Sequence, residues 1–74
     1  SCFDVATYFL TQASEDAGDL ISNLMLQKLV YYSQGFHLAL YGTPLFYEPL
    51  EVWTHGPVVP VLFEYYKKYG TGAI

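Results

Sequence analysis

The chain has no arginine, and its three lysines are its only permanently cationic side chains. Charged residues make up 14 % of the sequence, against about 25 % in an average soluble domain. The formal net charge is −4. Nucleic-acid binding needs clustered Lys and Arg to neutralise phosphates, and only Lys67 and Lys68 are adjacent. That pair follows an apolar helical stripe, where cations complement the helix dipole. The single cysteine, Cys2, excludes an internal disulfide and fits a reducing, cytoplasmic setting. No apolar run approaches the ~20 residues of a membrane span, and no secretory leader is expected from the opening residues. There is no glycine-rich phosphate loop, no repeat and no low-complexity segment. Cys2, His37 and His55 are the only thiol and imidazoles, and nothing near them in sequence supplies a base and an orienting group for nucleophilic catalysis. The two histidines lack nearby Cys or acidic ligands, so they make a weak metal pair. No cofactor is expected.

What the chain has is apolar and aromatic surface. Of its 74 residues, 53 % are hydrophobic and eight are tyrosine. A chain of this size buries only about 60 % of its unfolded surface. With so little charge to coat the remainder, it either belongs to a larger domain, the favoured reading, or buries a face against a partner. Self-association of the isolated chain is expected on the same grounds.

The organising stretch is Ser22 to Gly42, SNLMLQKLVYYSQGFHLALYG. Ser22 can cap a helix start, Gly42 can close its end in the left-handed conformation, and Pro44 forbids continuation. On a helical wheel Met25, Leu26, Leu29, Tyr32, Ser33, Phe36, Ala39 and Leu40 share one broad arc. Gln27, Lys28, Tyr31, Gln34, His37 and Tyr41 fall opposite, interleaved with Leu24, Val30 and Leu38. A helix apolar on most sides is buried on most sides, so this reads as the central helix against which both flanks fold. Gly35 costs about 1 kcal/mol relative to Ala inside a helix; close approach of another element is the reading for it.

Before this helix, Val5, Ala6, Phe9, Leu10 and Ala13 predict a helix over 3–13, with Asp4 in its first turn. Ser14 to Asp19 reads as a polar loop; Glu15, Asp16 and Asp19 lack the ligand spacing of a calcium loop. Ile21 precedes the cap and can staple onto Leu26. After it, Thr43 to Thr54 reads as two short strands turning at Glu48-Pro49, or as an irregular extended loop. Val58, Val61, Leu62, Tyr65 and Tyr69 predict a helix over 57–69, with Pro57 or Pro60 in its first turn and Gly70 at its end. The fold class is therefore mainly α: three helices with a short extended loop or β-hairpin between the second and third.

Two groups stand out as candidate sites. Gln27, Tyr31, Gln34 and His37 form a polar-aromatic stripe that can bind a protein partner, or whose amides can be satisfied inside the fold by a part of the domain beyond residues 1–74. Trp53-Thr54-His55-Gly56-Pro57 reads as a structural elbow, with a direct role in partner recognition as the alternative: Trp53 anchors the loop, His55 caps the third helix or meets Trp53, Gly56 makes the tight turn and Pro57 fixes the helix entry.

Leu26-Gln27-Lys28-Leu29-Val30-Tyr31-Tyr32 followed by Gly35-Phe36-His37-Leu38-Ala39-Leu40 resembles the signature of the Panacea domain, also called the SocA-like antitoxin or phage-associated domain. Trp53-Thr54-His55-Gly56-Pro57-Val58-Val59-Pro60 resembles its second signature, and Asp4-Val5-Ala6 and Gly18-Asp19-Leu20-Ile21 fit the same pattern. The resemblance implies a mostly helical, non-enzymatic domain of toxin–antitoxin pairs and prophage regions that captures a protein toxin by direct binding. It also implies a longer domain, of which residues 1–74 would be the N-terminal half. The alternatives are a small metal-dependent enzyme using His37 and His55, and a phage regulatory protein acting on a host factor.

Overall fold

A computed structural model describes residues 1–15, 21–70, 72 and 74. Helix α1 spans Cys2–Glu15, α2 Asn23–Tyr41 and α3 Pro60–Tyr66, the last continued by a 3-10 turn over Lys67–Tyr69. Strands β1, Glu51–Trp53, and β2, Gly56–Val58, lie between α2 and α3. This is the mainly helical, three-helix architecture with an intervening hairpin that the sequence predicts.

The ends of α2 follow from local chemistry. The Ser22 hydroxyl accepts the Met25 N–H at 3.3 Å, satisfying one of the donors that a helix start leaves free. Gly42 sits at φ 72° and its N–H donates to the Leu38 carbonyl, the left-handed termination that a Cβ would oppose. Helix α1 runs through Ser14 and Glu15, two residues further than expected, and the rest of the proposed acidic loop lies outside the described residues. Ala6 is buried while Val5, Phe9, Leu10 and Ala13 pack against the core, so the stripe read from the sequence is the face that docks.

The hairpin lies further along the chain than the two strands predicted with a turn at Glu48-Pro49. Glu51 pairs with Val58, Val52 with Pro57 and Trp53 with Gly56, and Thr54-His55 makes the turn. Leu45 to Tyr47 stay irregular. Gly56 has φ 122°, which L side chains rarely adopt, and this fixes the turn beside it. Pro57 is a strand residue rather than a helix entry; a two-stranded ribbon tolerates its missing N–H. The first turn of α3 belongs to Pro60. The third stripe is corrected with it: Leu62 is buried and Tyr66 packs on the core, while Val61, Tyr65 and Tyr69 are exposed.

Cys2, Ala6, Ile21, Leu26, Val30, Phe46, Val59 and Leu62 form one core cluster. Ile21 and Leu26 both belong to it, as a staple requires. Helix α2 is central, contacting α1, β2 and α3. It is not buried on most sides as expected: one side faces inward and part of the broad apolar arc faces out. The buried side chains are Asn23, Leu26, Gln27, Val30 and Gln34, whereas Met25, Tyr32, Phe36 and Leu40 are exposed. Leu45, Phe46, Val59 and Phe63 bring backbone groups against that inner face. Such groups require hydrogen bonds when buried, and amides supply them where leucines could not. Gly35 is corrected too: a Cβ built on it meets no atom within 4 Å, so no other described element approaches there.

Candidate protein-docking surface

The strap 43–59, which returns the chain from α2 toward α3, is held by two glutamines two helical turns apart. Gln34 grips the strap's start: its Nε2 donates to the Phe46 carbonyl at 2.7 Å and its Oε1 accepts the Leu45 N–H at 2.6 Å. Gln27 grips its end: its Oε1 accepts the Val59 N–H at 2.8 Å, and its Nε2 donates to Asn23 Oδ1 at 3.0 Å. Asn23 Nδ2 donates in turn to the Phe63 carbonyl. No buried side-chain polar atom among the described residues lacks a partner, as a low-dielectric interior demands.

Tyr31 and His37 stand on opposite flanks of that amide row. His37 Nδ1 lies 2.6 Å from the Thr43 carbonyl; a carbonyl can only accept, so this nitrogen carries the proton. The His37 ring also leans on Tyr41, with centroids 4.8 Å apart. Tyr31 meets Tyr32 edge to face. The four residues of the sequence stripe therefore divide: Gln27 and Gln34 are buried and bonded to the chain's own backbone, while Tyr31 and part of His37 reach the surface. The segment that satisfies the two glutamines lies within this chain, not in a part of the domain beyond it.

Trp53, His55, Gly56 and Pro57 all fall in the hairpin. The Trp53 ring packs edge to face on Phe63, centroids 5.2 Å apart, and its Nε1 donates to Glu51 at 2.9 Å. His55 is exposed in the turn and lines a cleft with Ser22, Phe63 and Lys67. At the other end of the strap the Glu48 carboxylate accepts the Cys2 N–H at 3.1 Å. Although burial opposes its charge, hydrogen bonds from the Cys2 and Glu48 N–H groups hold the Glu48 carboxyl below its ordinary range. Burial, with Glu48 beside it, pushes the Cys2 thiol up to about 11, so it is a protonated core group and not a nucleophile at neutral pH. Among the described residues, no group of three or more His, Cys, Asp or Glu could hold a metal ion, and no helix is long and apolar enough to cross a membrane.

The strap shows large apolar side chains to solvent although its backbone is tied down. Tyr47 is 86 % exposed and Val52 84 %. On the far side of α2, Phe36 is 71 % exposed and Leu40 72 %. Sequence reasoning put Phe36 and Leu40 on the broad apolar arc of a helix buried on most sides, and passed over Tyr47 and Val52. The signal that was available is the alignment of Asn23, Gln27 and Gln34 with Leu26 and Val30 on one side of the wheel.

These features define a small, mainly helical fold with large apolar side chains on its surface. Residues 26–74 match the family described as "Antitoxin SocA-like, Panacea domain". The Antitoxin SocA of Caulobacter vibrioides (strain NA1000 / CB15N) is 44 % identical over 50 residues, covering 68 % of this chain and 27 % of that protein. The chain thus spans about a quarter of the length of the curated relative it matches. No solved structure matches. The chain belongs to the SocA-like antitoxin family with the Panacea domain.

Proposed function

We propose that this chain is an antitoxin-type binding module that neutralises a protein toxin by direct capture, without catalysis. Family membership supports the class of activity. The observation that carries the surface is the strap: Tyr47 and Val52 stand in solvent on a segment whose backbone Gln27 and Gln34 fix from beneath. A loop already held in one conformation loses little entropy on binding, and exposed apolar side chains on an irregular segment mark contact sites. Tyr31 and His37 flank the strap and extend the contact. Tyrosine suits the role because it buries area while keeping a hydrogen-bonding tip. Gln27 and Gln34 act beneath them as positioning residues, and Trp53, Gly56 and Pro57 keep the hairpin in register.

Co-expression with the toxin encoded beside the gene tests this. The parent chain should restore growth and co-purify with the toxin, with no turnover of toxin or nucleotide. Tyr47→Ala combined with Tyr31→Ala should weaken capture at least about tenfold, which is 1.4 kcal/mol, with the free protein melting within a few degrees of the parent. Capture that survives this double change places recognition elsewhere.

A further inference from the structure

We infer that the toxin is held by strand addition: an extended segment of it pairs with the open edge of β1 at Val52, a step that rests on the capture reading above. Pro57 decides which backbone groups are open. Val52 stands opposite Pro57 in the hairpin, and in an antiparallel pair hydrogen-bonded and non-bonded positions alternate. Pro57 has no N–H to exchange, so Val52–Pro57 is the non-bonded position. The bonds of the ribbon fall on either side of it, at Glu51–Val58 and Trp53–Gly56. The N–H and C=O of Val52 therefore point away from β2. No turn or loop backbone group among the described residues bonds to them, and Val52 stands in solvent, so water alone satisfies them in the free chain.

The two edges of the ribbon differ. On β2 the outward position is Pro57, which cannot donate, and that strand lies against α2. The outward position of β1 carries neither lysine nor proline, two of the devices that block edge pairing. Trp53 rests on Phe63 and Val58 is buried, so the inner face of the ribbon is anchored while the β1 edge stays open. Chemistry selects the occupant. A donor and an acceptor from one residue, aimed the same way, are matched by the N–H and C=O of one residue in another extended chain. The interior of a helix spends both groups internally. The toxin residue opposite Val52 shares the solvent face with the Val52 side chain, so a β-branched or aromatic residue fits there.

Hydrogen exchange of the full chain, alone and with the toxin encoded beside the gene, reads the pairing. Alone, the Val52 N–H should exchange faster than those of Trp53 and Val58, which the ribbon bonds. With toxin it should slow at least about tenfold. Val52→Pro removes the outward donor and no bond of the ribbon, so the melt should stay within a few degrees while capture weakens at least about tenfold. Val52→Ala trims the side chain and keeps the donor, and should weaken capture less. If Val52→Pro does not fold, exchange in the parent complex decides. A parent that captures no toxin overturns the capture reading and the added strand together. Capture with a Val52 N–H that still exchanges fast overturns the strand alone, as does equal loss in Val52→Ala and Val52→Pro. Slowing of the Val52 N–H with rising concentration in the absence of toxin puts a second copy on the edge and also overturns it.

Discussion

Gln27 accepts the backbone N–H of Val59 at 2.8 Å, a contact between residues 32 positions apart that joins the middle of α2 to the entry of α3. The bond is buried, and Val59 has no other helix or strand partner for its N–H. Replacing Gln27 by Leu keeps most of the volume and leaves that donor unsatisfied, at a cost of about 2 kcal/mol. The melting temperature should fall by roughly 10 °C, at about 4–8 °C per kcal/mol for a domain of this size. Urea titration should show the same loss. If stability holds while toxin capture disappears, Gln27 is a contact residue and not a support.

Phe46 should matter more to stability than Trp53. Phe46 is buried in the core cluster, and truncation of such a ring costs about 3–5 kcal/mol. Trp53 is half-buried and rests on Phe63 from one side, so Trp53→Ala should cost about 1–2 kcal/mol, above any exposed substitution yet below the core value. Parallel denaturation of Phe46→Ala and Trp53→Ala decides the order. The reverse order would make Trp53 the anchor of the hairpin.

Gly35→Ala should stabilise the monomer. The position is inside α2, where Ala is favoured by about 1 kcal/mol, and no atom obstructs the added methyl. A rise of several degrees in the melting temperature, measured at a concentration where the chain is monomeric, is the expected result. A fall would mean that another segment packs onto Gly35.

Stability should decline on the alkaline side. The Cys2 thiol titrates at about 11 in the fold, against an ordinary 9.0. Between those values the unfolded chain loses the proton and the folded chain keeps it, so the native state binds more protons and stability falls as pH rises. Tyr66, whose hydroxyl is also raised by burial with Tyr65 and Tyr69 nearby, acts in the same direction at higher pH. Melting scans across pH 9 to 11 should show the decline, and Cys2→Ala should flatten it. Thiol alkylation near neutral pH should be slow in the native chain and fast in urea; fast labelling of the native form would place Cys2 outside the core.

The sequence by itself determined what depends on neighbours along the chain. Ser22 and Gly42 bound α2 because capping involves groups within a few residues. The 3.6-residue spacing of Val5, Ala6, Phe9, Leu10 and Ala13 marked the docking face of α1, since only one stripe there is apolar. The strings around Gln27 and Trp53 sufficed for the family. Tertiary structure alone decided which side of α2 faces inward. Periodicity located an apolar arc through Tyr32, Phe36 and Leu40, and burial of apolar area favours putting that arc inside. The amide row went in beside Leu26 and Val30, where the strap brings backbone groups such as the Leu45 and Val59 N–H and the Phe46 carbonyl against it, and Gln34 and Gln27 satisfy them. A glutamine looks like a surface residue until the distant backbone it serves is in place. That backbone arrives from residues 45 to 59, so a window of sequence around α2 shows the amides aligned with Leu26 and Val30 but not the groups they serve.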